Sequence, residues 1–86
     1  MRIDLALKRL LLVKSRSEAK EACDVGAVFL NEKPVKASAE VKVGDRIRID
    51  YAHRTLELVL IAEIGNNVSR VQARALYRVD RDESVS

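Results

Sequence analysis

The sequence has 86 residues, 16 Lys+Arg against 13 Asp+Glu, and 48% apolar residues. That length holds one small domain, and no apolar run approaches the ~20 residues that a membrane-spanning helix needs. Cys23 is the only cysteine and His53 the only histidine, which excludes an internal disulfide and a Cys-rich zinc site and leaves almost nothing from which to build a metal site or a His-based catalytic triad.

Residues 3–13 predict a first helix. Ile3, Ala6, Leu7, Leu10 and Leu11 fall on one side at helical spacing, and Asp4 suits the positive end of the helix dipole. Leu5 and Leu12 form a second apolar stripe, to be covered by another element of the chain or by a partner. Ser15-Arg16-Ser17-Glu18 matches the S-x-x-E capping box and opens a second helix, which Gly26 ends. Its inner face of Ala19, Ala22 and Cys23 is small, so Cys23 reads as a packed, inert thiol.

After Gly26 the period changes to two. Ala27 to Leu30 predicts a short strand, Asn31-Glu32-Lys33-Pro34 a turn, and Gly44-Asp45 a second turn after Val41 and Val43. Arg46 to Tyr51 alternates strictly, with Ile47, Ile49 and Tyr51 inward and Arg46, Arg48 and Asp50 outward. Leu56, Leu58 and Leu60 repeat that alternation beyond a polar turn that holds His53. Phe29 and Tyr51 are expected in the core. Ser69-Arg70-Val71-Gln72 is a further capping box, and Val71, Ala75, Leu76 and Val79 would face the core from a last helix at about 69–79, followed by a frayed polar tail. The fold class expected is therefore α+β: two N-terminal helices on a small antiparallel sheet, with a C-terminal helix.

The charge is uneven. Residues 1–20 carry six bases and two acids, whereas the remainder carries ten bases and eleven acids. Such a patch attracts polyanions, although a solvated helix face has the same composition. Arg16 and Lys20, four apart, project along one flank of the second helix, and the backbone N–H groups near Ser15 and Ser17 favour phosphate. Arg16 adds a planar fork that suits a phosphate group. On the last helix Arg70, Arg74, Arg78 and Arg81 would form a stripe with Tyr77 among them, able to stack on an unpaired base. Neither a Gly-rich phosphate loop nor a Cys/His constellation is present, so no enzyme, no cofactor and no small-molecule substrate are expected.

Four motifs then line up in order: R-I-D-L-x-L from Arg2, K-S-R-S-x-A-K-E-A at 14–22, G-A-V-F-L-N-E-K-P-V at 26–35 and V-x-V-G-D-x-I at 41–47. Together they resemble the S-four RNA-binding domain, the αL motif. With the chain's length and C-terminal extension, they are similar to the bacterial heat-shock-protein-fifteen family of RqcP-like ribosome quality-control proteins. The resemblance implies residues 1–64 as the RNA-binding domain and 65–86 as the helical extension. It implies binding of large-subunit rRNA and peptidyl-tRNA, with a ribosome quality-control tailing factor as a protein partner, and no membrane.

The RNA-facing positions it implies are Arg2, Lys14, Arg16, Ser17 and Lys20, with Asn31, Lys33 and Lys36 on the strand-turn edge. Lys8 and Arg9 complete the basic set, and Leu11 stands where a basic residue is usual. Arg70, Arg74, Tyr77 and Arg78 are secondary candidates. The start Met1-Arg2-Ile3-Asp4 has no signal-peptide h-region, so a cytoplasmic location is expected. Two other readings stay open: a protein-interaction module docking through Leu5 and Leu12, and a generic RNA binder with no ribosomal role.

Overall fold

The alternating segments form the centre of the molecule, seen in a computed structural model that describes residues 1–84. Strand β3 (Arg46–Tyr51) pairs antiparallel with β4 (Arg54–Leu60), placing Ile47 opposite Leu58 and Ile49 opposite Leu56. All four are buried, as a period of two on a half-covered sheet requires. Strand β1 (Val28–Leu30) pairs with the other side of β3 and turns back into β2 (Lys33–Pro34). Asn31 and Glu32 between them have φ of 51° and 73°, the left-handed pair of a two-residue hairpin.

Helix α1 (Ile3–Arg9) and helix α2 (Arg16–Asp24) cover one face of this sheet, burying Ile3, Leu7, Ala19 and Cys23 against Val28, Ile47, Leu56 and Leu58. Gly26, at φ 77°, ends α2 as expected: its N–H reaches Cys23 O and the next N–H reaches Ala22 O, the Schellman arrangement. Cys23 is buried, and its thiol pKa is raised by that burial and secondarily by Asp4 and Asp24.

Three expectations need correction. Helix α1 stops at Arg9 rather than Val13, because Leu11 takes φ 60° and the N–H groups of Leu11 and Leu12 fold back onto Lys8 O and Leu7 O. Leu11 is consequently 51% exposed instead of facing the core. The stripe of Leu5 and Leu12 is covered by the chain itself, the first of the two alternatives, since Leu12 packs against the core and Leu5 is half-buried. Phe29 lies on the outer face of the sheet opposite Arg48, whose guanidinium stacks 3.8 Å from the ring centroid. Tyr51 does pack on the core, and its hydroxyl donates to Leu12 O at 2.7 Å; burial raises the pKa of that phenol.

The largest correction concerns the C-terminus. Ser69 caps helix α3 with both halves of the capping box formed, but α3 spans only Arg70–Ala75. Leu76 O then accepts the N–H groups of Ile61 and Ala62, and the chain continues as strand β5 (Tyr77–Ser84) paired antiparallel with β4. The expected frayed tail is thus a strand as far as Ser84, and the rest of it lies outside the described residues. The sheet order is β2-β1-β3-β4-β5. Val71 and Val79, expected inward, are 81% and 48% exposed, and Ala73 is the buried residue of α3. The physical reason is the unpaired edge of β4, which would leave a row of polar backbone groups in water. Strand β5 covers it, with Arg54 paired to Asp82 across the strands at 2.9 Å.

Candidate nucleic-acid interface

The basic N-terminal segment is organised around one acid. Asp4, in the first turn of α1, is only 4% exposed. Its carboxylate accepts from Arg2 Nε at 3.2 Å and Arg2 Nη2 at 3.3 Å, from Arg16 Nη2 at 3.4 Å, and from the Leu5 N–H at 2.8 Å. One guanidinium comes from the residue that precedes α1 and the other from the first residue of α2, and they meet on the same carboxylate, while their side chains stay 50% and 46% exposed. Two cations against one anion leave one positive charge in excess, held in a fixed orientation toward solvent. Holding the forks in place beforehand removes much of the side-chain entropy lost when an anion is bound.

Each arginine is placed by local structure. Ser15 Oγ accepts the Glu18 N–H at 3.1 Å and fixes the start of α2, so Arg16 is its first residue. The Glu18 carboxylate returns to the Lys14 N–H at 3.3 Å rather than to Ser15. Arg2 is held by backbone bonds from the loop that precedes β3: Ile3 N–H reaches Ala39 O at 2.7 Å and Asp4 N–H reaches Ala37 O at 3.3 Å. Lys36, next to Ala37 in the chain, is exposed, and Lys33 is exposed on β2 of the preceding hairpin. Ser17 and Lys20 are exposed on α2, Lys20 one turn beyond Arg16.

Other candidates lie elsewhere. Lys8 and Lys14 line an open groove of about 670 Å³ between the α1–α2 connection and α3. Arg9 donates to Gly65 O at 3.5 Å, toward the loop that leads to α3. Asn31 is tied internally: its amide donates to Asp45 Oδ1 at 3.1 Å and accepts the Arg46 N–H at 3.0 Å. The expected helical stripe of Arg70, Arg74, Arg78 and Arg81 does not form, because its second half is β5. Arg78 pairs with Asp80 at 2.9 Å, which lowers the Asp80 pKa through that bond, and Arg81 pairs with Glu83 at 3.0 Å. Arg70 and Arg74 remain on α3 and line the groove together with Tyr77.

What the sequence reading missed is the role of Asp4. The R-x-D spacing was a local signal for its bond to Arg2, but the bond to Arg16 depends on how the two helices pack. Among the described residues no group of His, Cys, Asp and Glu could hold a metal ion, and no helix is long and apolar enough to cross a membrane.

Comparison with known proteins gives a consistent picture. The S4 domain family model matches residues 1–47. The whole chain is 36% identical to the RQC P-site tRNA stabilizing factor of Halalkalibacterium halodurans, covering 97% of that protein. It is 32% identical over 85 residues to the factor of the same name from Bacillus subtilis, covering 99% of this chain and 98% of that one. Among solved structures, the trimeric heat shock protein 15 of Vibrio cholerae is similar with a TM-score of 0.85 and 25% identity, over 92% of this chain and 80% of that one.

Proposed function

This chain belongs to the S4-domain family and, within it, to the RQC P-site tRNA stabilizing factors, and on that premise we propose that it binds folded RNA on the large ribosomal subunit. Its ligand is large-subunit rRNA together with peptidyl-tRNA, and its role is ribosome-associated quality control in the cytoplasm. It acts by binding and positioning, without catalysing a reaction. The observation that supports this best is the meeting of Arg2 and Arg16 on buried Asp4. Two preset guanidinium forks suit a pair of phosphates at fixed separation better than they suit a base edge. A surface of that kind selects RNA by the shape of its backbone, which serves a partner whose helices are already folded. Arg2, Arg16, Ser17, Lys20 and Lys36 form the contact surface, with Lys33 at its margin.

Crosslinking the protein to RNA in cells and sequencing the attached fragments tests this reading. The expected result is joint enrichment of large-subunit rRNA and tRNA. Fragments scattered over mRNA, with no ribosomal enrichment, would contradict it.

A further inference from the structure

The groove between the α1–α2 connection and α3 has a distinctive lining. Its floor is apolar, from Leu10, Val13 and Ala73, and its rim is cationic, with Lys8 and Lys14 on one side and Arg70 and Arg74 on the other. None of these four cations has an ion-pair partner among the described residues, unlike Arg2, Arg16, Arg46, Arg48, Arg54, Arg78 and Arg81. Glu18 is the one acid in the lining, and its carboxylate already accepts the Lys14 N–H. Tyr51 and Tyr77, the chain's two tyrosines, both border this groove. Leu11 stands at it with φ 60° and half its surface in water, a left-handed backbone that costs a non-glycine residue about 1–2 kcal/mol.

We propose that this groove is a second RNA site that takes an unpaired nucleotide, its base against Tyr77 and Leu11 and its phosphates between the lysines and the α3 arginines. The inference rests on the RNA-binding function proposed above and adds a ligand class to it. An apolar floor under a cationic rim matches a nucleotide, which has an apolar base face and an anionic backbone. A continuous duplex keeps its base faces stacked inside and would leave the floor of the groove uncovered. The volume, about 670 Å³, lies within the roughly 300–1,000 Å³ range of small-ligand sites.

The test uses the full chain with a 3′-labelled single-stranded octauridylate and, in parallel, a blunt RNA duplex of equal length, read by fluorescence anisotropy at one fixed salt concentration. The wild type is expected to bind the single strand and to show quenched tyrosine emission, which has no tryptophan background. The double variant Arg70→Glu/Arg74→Glu, at two exposed positions, is expected to lose single-strand affinity about tenfold or more while binding the duplex as the wild type does. Tyr77→Leu is expected to lose about fivefold or more, whereas Tyr77→Phe retains affinity, because the ring and not the hydroxyl stacks.

Thermal unfolding of each variant identifies any loss that comes from misfolding, and the exposed arginine pair carries the test if Tyr77→Leu is unstable. No binding of octauridylate by the wild type, unchanged affinity in the arginine variant, or equal losses in the two folded Tyr77 variants would each overturn the proposal. Failure of duplex binding with single-strand binding intact would instead strike the proposed function of the Arg2–Arg16 surface.

Discussion

Arg16→Ala is expected to weaken binding to large subunits carrying peptidyl-tRNA by about tenfold or more at fixed salt, whereas Arg46→Ala stays within about twofold. Both replacements remove one arginine, and the side chains are similarly exposed, 46% and 50%. They differ in what holds them. Arg16 is clamped by Asp4 on the helical side of the molecule, at the first residue of α2. Arg46 lies on the outward face of the sheet, and its guanidinium has only a long ion pair, to Glu32 at 4.0 Å. A charge-assisted contact from a preset guanidinium fork is worth roughly 1.5–3 kcal/mol, while an unconstrained arginine on the wrong face adds only to the long-range field. Arg16→Lys should recover part of the loss but not all of it, because an ammonium cannot present the planar fork. Comparable losses for Arg16→Ala and Arg46→Ala, measured by cosedimentation, would mean that net charge alone governs binding.

Asp4→Ala is expected to destabilise the fold by about 2 kcal/mol. The carboxylate is buried and accepts bonds from Arg2, Arg16 and the Leu5 N–H, so its removal unties α1 from α2 and leaves a helix-terminal N–H without its acceptor. The cost stays below that of breaking a fully buried ion pair, because both arginines are about half exposed and are rehydrated when released. In a domain of this size the loss corresponds to a fall in melting temperature of roughly 8–16 °C. Asp4→Asn preserves an acceptor for the Leu5 N–H and should lose less. A melting temperature within about 2 °C of wild type for Asp4→Ala would show that the shared carboxylate is not a structural tie.

Asp4 also marks where sequence reasoning ran out. As one acid among bases it was legible as a helix-dipole partner, and its packing with Arg16, twelve residues away, is a tertiary fact. The strands at 46–51 and 54–60 were readable because an inward and outward alternation survives only in extended chain. The ends of α2 and the start of α3 were readable because Ser15, Gly26 and Ser69 act locally.

The C-terminal strand was not, since Arg70, Arg74 and Arg78 sit at helical spacing and Ser69 does start a helix. Its signal was the pairing of opposite charges two residues apart, Arg78 with Asp80 and Arg81 with Glu83, which is strand spacing rather than helical spacing. Phe29 was misplaced for a related reason. In the three-residue strand Val28–Leu30 every residue is apolar, so there is no alternation to read, and the face is decided by pairing with β3. The basic residues were legible as a set, but the division between the Asp4-centred surface and the groove beneath α3 depends on the fold.

The salt dependence of binding to tRNA-bearing large subunits, compared between the wild type and the Arg2→Ala/Arg16→Ala double variant, tests most directly whether these two side chains lie on phosphates. Each lost phosphate contact removes about 0.7–0.9 from the slope of log affinity against log salt. Slopes that differ by about 1.4–1.8 would establish two direct phosphate contacts. Parallel lines, displaced or superimposed, would place Arg2 and Arg16 away from the RNA and contradict the account.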